Sequence, residues 1–177
     1  MRRSNSVAFW SVAAAITALD VASKWWAQAG LLPQRLPHSI AGDWLRLTLV
    51  YNPGAAFGLQ VGAQSRWVFM GLTVVALGIL GRLYLNTRPG DLLRTASLGL
   101  VCGGALGNLI DRVRSDHGVV DFIDIGVGAS RWPTFNVADV AVSVGAVVLA
   151  WTLWDSEQSE SAVASTTLAA AESGELT

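Results

Sequence analysis

The chain is predicted to be an all-α membrane protein, with four transmembrane helices and a small β-sheet at the membrane surface. Two observations carry that expectation. The sequence is 52% hydrophobic and only 14% charged, against about 25% charged in a soluble domain, and its mean hydropathy is +0.45. Its apolar residues also gather into four runs, each approaching the roughly 20 residues that cross a bilayer. With 177 residues, one folded domain is expected over residues 1–154, followed by a tail over residues 155–177.

The first run covers about residues 7–26 and is interrupted by Asp20 and Lys24. Arg2 and Arg3 before it, and Ala27-Gln28-Ala29 after it, have the outline of a cleavable secretory signal. The length of the run and its two internal charges stand against that reading. A polar stretch follows, within which Leu45, Leu47, Leu49 and Tyr51 alternate with Arg46 and Thr48. Such alternation marks a strand, and Asn52-Pro53-Gly54 marks a turn after it. The second run, residues 67–85, has Arg82 near its end, where a long side chain can reach the headgroups. The third covers about residues 95–110 and the fourth residues 135–154. The tail from Asp155 holds five acids and no base, a composition that disfavours a packed structure.

Four spans place both termini on one side. They also bring the end of the first span, the loop after it, the end of the third span, the 112–134 loop and the start of the fourth to the opposite side. Nearly every unusual polar residue lies in those pieces. Charge counting leaves the orientation open, because the basic residues divide almost evenly between the two faces.

A net charge of −1 gives no basic footprint for nucleic acid. Cys102 is the single cysteine, so no internal disulfide can form, and it reads as a small buried apolar side chain. His38 and His117 lie in loops without ligand spacing. Neither a metal nor a cofactor is expected.

Two aspartates carry the chemistry. Asp121 lies in Val119-Val120-Asp121-Phe122, and Asp139 opens the otherwise uncharged fourth run. A carboxylate on a spanning helix costs about 2.5–3.5 kcal/mol near the bilayer centre, which makes it a functional-site candidate. Asn136, Asp139 and Ser143 share a helix face by their spacing. Asp139 falls four residues past Phe135, roughly 6 Å along the axis, just below the surface and within reach of the segment carrying Asp121. Two neighbouring carboxyls share one proton. One can then take a proton from an attacking water while the other donates to a carbonyl or a leaving nitrogen. The alternative is that each aspartate merely pairs with Arg112 or Arg114. On the third run, Gly99, Gly103 and Gly107 lead to Asp111, beside a row of Gly104, Asn108 and Arg112. The glycines suit close helix packing in lipid. Asp20 and Lys24, four apart, suit an ion pair.

Five short motifs follow one another in order: Asp20-Val-Ala-Ser-Lys24, Asn52-Pro-Gly54-Ala-Ala-Phe57-Gly58, Gly103-Gly-Ala-Leu-Gly107-Asn108-Leu-Ile-Asp111-Arg112, Val119-Val-Asp121-Phe122 and Phe135-Asn136-Val-Ala-Asp139. Together they resemble lipoprotein signal peptidase, the bacterial signal peptidase II family, over about residues 16–145. Each motif is weak alone, and five in order on four spans are specific.

The resemblance implies a membrane aspartyl endopeptidase. Such enzymes remove the signal peptide from diacylglyceryl-modified bacterial prolipoproteins, cutting before the lipidated cysteine. It implies that Asp121 and Asp139 are the catalytic acids, and that Asp20, Lys24, Asn52, Gly54, Asn108, Arg112 and Asn136 support the site or contact substrate. Asp111 reads as structural. It further implies a multi-pass protein of the bacterial cytoplasmic (inner) membrane, with cytoplasmic termini and an extracytoplasmic sheet and active site. Globomycin-type inhibitors are expected ligands, alongside prolipoprotein substrates and membrane lipid, and a monomer would suffice. Pro53 fills a variable position of its motif, and the acidic tail lies outside the resemblance. Two other classes compete: a proton-coupled membrane transporter using the intramembrane carboxylates, which needs polar groups spread through the membrane depth, and a non-catalytic adaptor, in which both aspartates are replaceable.

Overall fold

A computed structural model describes residues 2–54 and 62–173. Its elements run α1 (Arg2–Gly30), β1 (His38–Ala41), β2 (Leu45–Asn52), a short 3₁₀ turn (Gly62–Gln64), α2 (Ser65–Leu85), α3 (Leu92–Arg114), β3 (Val119–Val127), β4 (Ser130–Arg131) and α4 (Val137–Ser173). Four of the helices are long and apolar enough to cross a membrane, as the four runs require. The Phe57 and Gly58 positions of the second motif lie outside the described residues.

Local chemistry sets the helix ends. Asp91 caps α3, its side chain accepting the Arg94 amide at 3.1 Å, which satisfies one of the donors a helix start leaves open. Across the bundle Asn5 donates to the Arg88 carbonyl and accepts the Gly90 amide, both at 2.9 Å. That clasp ties the start of α1 to the α2–α3 turn. The fourth helix differs from expectation. It continues past Trp154 to Ser173, so the segment from Asp155, expected without regular structure, is helical over residues 155–173. Alanine and glutamate are strong helix formers, and a span already formed supplies the costly nucleus. Its 37 residues extend roughly 55 Å at 1.5 Å per residue, well beyond one bilayer.

Glycine rows decide the packing. The α3 row Gly99, Gly103 and Gly107 faces α1: a Cβ on Gly103 would sit 2.7 Å from the Ala13 carbonyl oxygen, and one on Gly107 would strike the Asp20 carboxyl. Gly104 faces α4, with the Ala138 carbonyl oxygen 2.5 Å from where its Cβ would stand. Backbone therefore meets backbone on both sides of α3, which is how helices gain attraction where lipid removes the hydrophobic drive. Gly104→Ala is expected to destabilise the protein by about 1–3 kcal/mol, because its methyl meets backbone that cannot swing aside. Thermal unfolding in detergent reads this, and an unchanged midpoint would contradict the packing. By contrast α2 is peripheral, and Leu72, Val74, Val75 and Ile79 on it are exposed, as lipid-facing residues are.

All eight tryptophans are more than half exposed. Trp10, Trp151 and Trp154 lie toward one end of the bundle, and Trp25, Trp26, Trp44, Trp67 and Trp132 toward the other. Tryptophan favours the two membrane interfaces, so these residues mark both edges of the bilayer.

The sheet is antiparallel in the order β1-β2-β3-β4. β2 carries the predicted alternation, broken by a bulge between Leu47 and Val50. The segment carrying Asp121, expected as a loop, is strand β3. Val50 pairs with Asp121, Tyr51 with Val120 and Asn52 with Val119. Leu49, Val120 and Phe122 join Ala27 and Leu31 in a core that fixes the sheet to the C-terminal end of α1. The chain entering α4 is stitched to β3, since Phe135 exchanges backbone hydrogen bonds of 2.8–3.0 Å with Ile123. The two aspartate-bearing elements are thus held in one register.

Candidate active site

The site grows from the start of α4. Asn136 precedes the helix and caps it: its Oδ1 accepts the Asp139 amide at 2.9 Å, and Asp139 Oδ2 accepts the Asn136 amide at 3.2 Å. This is the reciprocal logic of a capping box, built here from an asparagine and an aspartate. The Asn136 side-chain nitrogen donates to Asp121 Oδ1 at 2.7 Å and lies within 3.3 Å of Asn108 Oδ1 and the Val120 carbonyl. Asn136 is fully buried and bridges the two carboxyl groups directly.

Each aspartate has one further donor. Asn52 Nδ2 reaches Asp121 Oδ2 at 3.2 Å, while Asn52 Oδ1 accepts the Gly54 amide at 3.0 Å, closing the Asn52-Pro53-Gly54 turn. Asn108 Nδ2 donates to Asp139 Oδ1 at 2.9 Å. What orients Asn108 is Lys24, whose Nζ donates to its Oδ1 at 2.7 Å.

Lys24 is 1% exposed. Its ammonium, with three protons to place, meets Asn108, Asp20 at 2.7 Å and Asp111 at 3.0 Å. Asp20 in turn accepts the Ala138 amide in the first turn of α4, and Asp111 accepts the Val120 amide next to Asp121. One cation therefore positions α1, α3, α4 and β3 around the paired acids. The Asp20–Lys24 ion pair follows from the spacing. Asp111, read as structural, ends the Gly99–Gly103–Gly107 row that faces α1; its pairing with Lys24 does not show in the spacing.

Arg112 donates to the Gly54 carbonyl at 2.9 Å and to the Asn108 carbonyl at 3.2 Å, with its guanidinium 5.8 Å from the Phe69 ring centre. Among the described residues no salt bridge joins Arg112 or Arg114 to either aspartate, and Arg114 lies over the Trp25 ring. The simple ion-pair alternative is therefore not how these acids are held. Arg66 bonds the Arg112 carbonyl at 2.6 Å and pairs with Asp116, closing the end of α3 against α2.

Asp121, Asp139, Asn52, Asn108 and Arg112 line one cavity of about 320 Å³, whose deeper wall is Val140, Ser143 and Val144. Asp121 is 3% exposed. Burial, reinforced by the neighbouring Asp139 charge, pushes its carboxyl up to about 7, against the hydrogen bonds from Asn52 and Asn136 that favour its ionised form. All nine sequence-selected residues fall in this cluster, with Asp20 and Lys24 behind the acids and the buried Arg112 tied to the Gly54 carbonyl.

Fold and site together define a multi-pass membrane protein with a buried Asp121 and a half-buried Asp139 lining one cavity at one end of a four-helix bundle. A family model described as signal peptidase (SPase) II matches residues 12–155. The lipoprotein signal peptidase of Moorella thermoacetica is 42% identical over 146 residues, which is 82% of this chain and 91% of that protein. That of Syntrophus aciditrophicus is 38% identical over 136 residues, 75% of this chain and 80% of its own. A solved bacterial membrane enzyme superposes with a TM-score of 0.73 at 27% identity, covering 83% of this chain and 87% of its own. The chain belongs to the signal peptidase II family, and is a membrane peptidase.

Proposed function

We propose that the protein is an aspartyl endopeptidase that removes the signal peptide from diacylglyceryl-modified prolipoproteins, cutting before the lipid-bearing cysteine. The carrying observation is that Asp121 and Asp139 line one cavity and share Asn136 as a bridge. In the catalytic step Asp139 takes a proton from water as its oxygen bonds to the scissile carbonyl carbon. Asp121, holding the shared proton, donates toward the carbonyl oxygen. The C–N bond then breaks as the cysteine nitrogen is protonated, leaving a new carboxylate and a free amine. Neither a metal nor a covalent intermediate is needed.

The geometry of the substrate supports this reading. A diacylglyceryl group stays in the bilayer, so its scissile bond comes to the interface, the depth at which α4 begins. The orientation that fits is cytoplasmic termini in the bacterial cytoplasmic membrane, with the site facing out. The bundle and sheet complete the site within one chain, so a monomer suffices, and globomycin-type compounds are expected to compete for the cavity. The test is to incubate the purified protein with a lipidated precursor, with and without such an inhibitor. A shorter, inhibitor-sensitive product is expected. An intact precursor would refute the activity.

The Asp121 carboxyl gives the activity a pH signature. Its folded value lies above the ordinary one, so it keeps the proton it must donate until the pH passes about 7. kcat/KM is expected to fall above that point, approaching about tenfold per pH unit. A flat profile from neutral to alkaline pH would contradict Asp121 as the acid.

A further inference from the structure

A second cavity, of about 500 Å³, opens on the other side of Asp121. It shares Asn52, Asp121, Pro133 and Thr134 with the first, so the two meet across the carboxyl. Their walls differ in kind. The first cavity is closed by α4 residues at membrane depth. The second is walled by Gln34, Arg35, Val50, Tyr51 and His117, from the α1–β1 loop, β2 and the α3–β3 turn, with no residue from a spanning helix.

Among the described residues Arg35 is the only arginine or lysine lining it. Its backbone is left-handed, at φ 63°, and its amide is held by the Leu49 carbonyl at 2.9 Å. A residue other than glycine kept in that conformation is fixed by its surroundings, so the base of this side chain is pinned over β2. The guanidinium is in no salt bridge among the described residues. Apart from Asp121, the other polar groups on the wall are neutral or weakly basic. His117 lies 5.6 Å from the Tyr51 ring and next to Ser115. Across the cavity, Asp121 is buried and shared with the catalytic side.

A substrate chain must pass from bilayer to water through the dyad. The signal helix and acyl chains belong to the lipid side, so the residues after the cysteine must leave on the water side. We infer that the second cavity is the subsite for the first residues of the mature lipoprotein, and that Arg35 makes it favour acidic over basic side chains there. This rests on the peptidase reading above and adds to it a determinant of substrate choice.

The test uses the purified full chain and diacylglyceryl-modified precursors that differ only in the two residues after the cysteine: aspartates, serines or lysines. At low ionic strength kcat/KM is expected to be about threefold to fivefold higher for the aspartate precursor than for the lysine one, the scale of a partly exposed charge pair. The ratio should shrink in high salt, which screens such pairs. Arg35→Lys should keep the preference and Arg35→Glu should reverse it. Equal rates in the parent, or a ratio that Arg35→Glu leaves in place, would overturn the subsite. Failure to cut any precursor, the serine one included, would instead overturn the peptidase reading and the subsite with it.

Discussion

Asp139→Asn and Asp121→Asn are each expected to lower prolipoprotein cleavage by about 10³-fold or more, with the protein still folded and inserted. Positioned acid–base groups contribute about 10²–10⁴-fold each, and here neither partner can substitute for the other. Asp139 meets only donors: the Asn108 side chain on one oxygen and the Asn136 amide on the other. Asparagine keeps an accepting oxygen for one of these and turns an amide toward the other, a mismatch worth about 1–3 kcal/mol in a fully buried site and less at the half-buried position 139. It can no longer take a proton from water. At position 121 the amide can still accept from Asn136 but has no acid proton to give. Gel filtration and circular dichroism should match the parent while the precursor assay is nearly silent. Substantial cleavage by either purified variant would sink the dyad.

The largest effect on stability is expected from Lys24→Met. Methionine is close to lysine in length and apolar, so packing is nearly kept while the charge is lost. What remains is a buried Asp20, at 0% exposure, together with Asp111, both deprived of the same cation. Breaking a buried pair by removing one partner costs about 3–5 kcal/mol. Asn108 also loses the group that fixes its orientation toward Asp139, so activity should drop with stability. The double change Lys24→Met with Asp20→Asn should recover part of the lost stability, because it removes one uncompensated charge. Thermal unfolding in detergent micelles measures both. A single variant that melts with the parent would show that the ammonium is not what holds these four elements together.

Much of this was legible in the chain, for physical reasons that can be named. Crossing a bilayer demands length and apolarity, and both are written continuously in the sequence, so the four spans are present where the runs lie. Acids inside such runs are conspicuous, so Asp20 and Asp139 stood out, and helical spacing put Asn136 and Asp139 on one face. The strand β2 announced itself by alternation. Strand β3 did not, because it packs on both faces near Asp121: Val119, Val120, Asp121 and Phe122 are all buried, which erases the period of two. Asp124 is buried as well, satisfied by Arg131 at 2.5 Å and Thr48 at 3.0 Å, partners no local pattern foretells. The bridging geometry of Asn136 and the pairing of Asp111 with Lys24 join residues 15 to 87 positions apart, and such contacts exist only once the helices have packed. The continuation of α4 beyond Trp154 does not show in composition, because the span that feeds it supplies the nucleus a polar segment lacks by itself.

Chemistry at the scissile bond itself can be followed by single-turnover cleavage of a lipidated precursor in ¹⁸O-labelled water, with both fragments weighed by mass spectrometry. Water activated between Asp121 and Asp139 should leave one ¹⁸O in the new carboxylate of the signal peptide, and a mature fragment that begins at the lipid-bearing cysteine with a free amine. A first-turnover signal peptide carrying only ¹⁶O, or a break at any other bond, would contradict direct water attack by the paired acids.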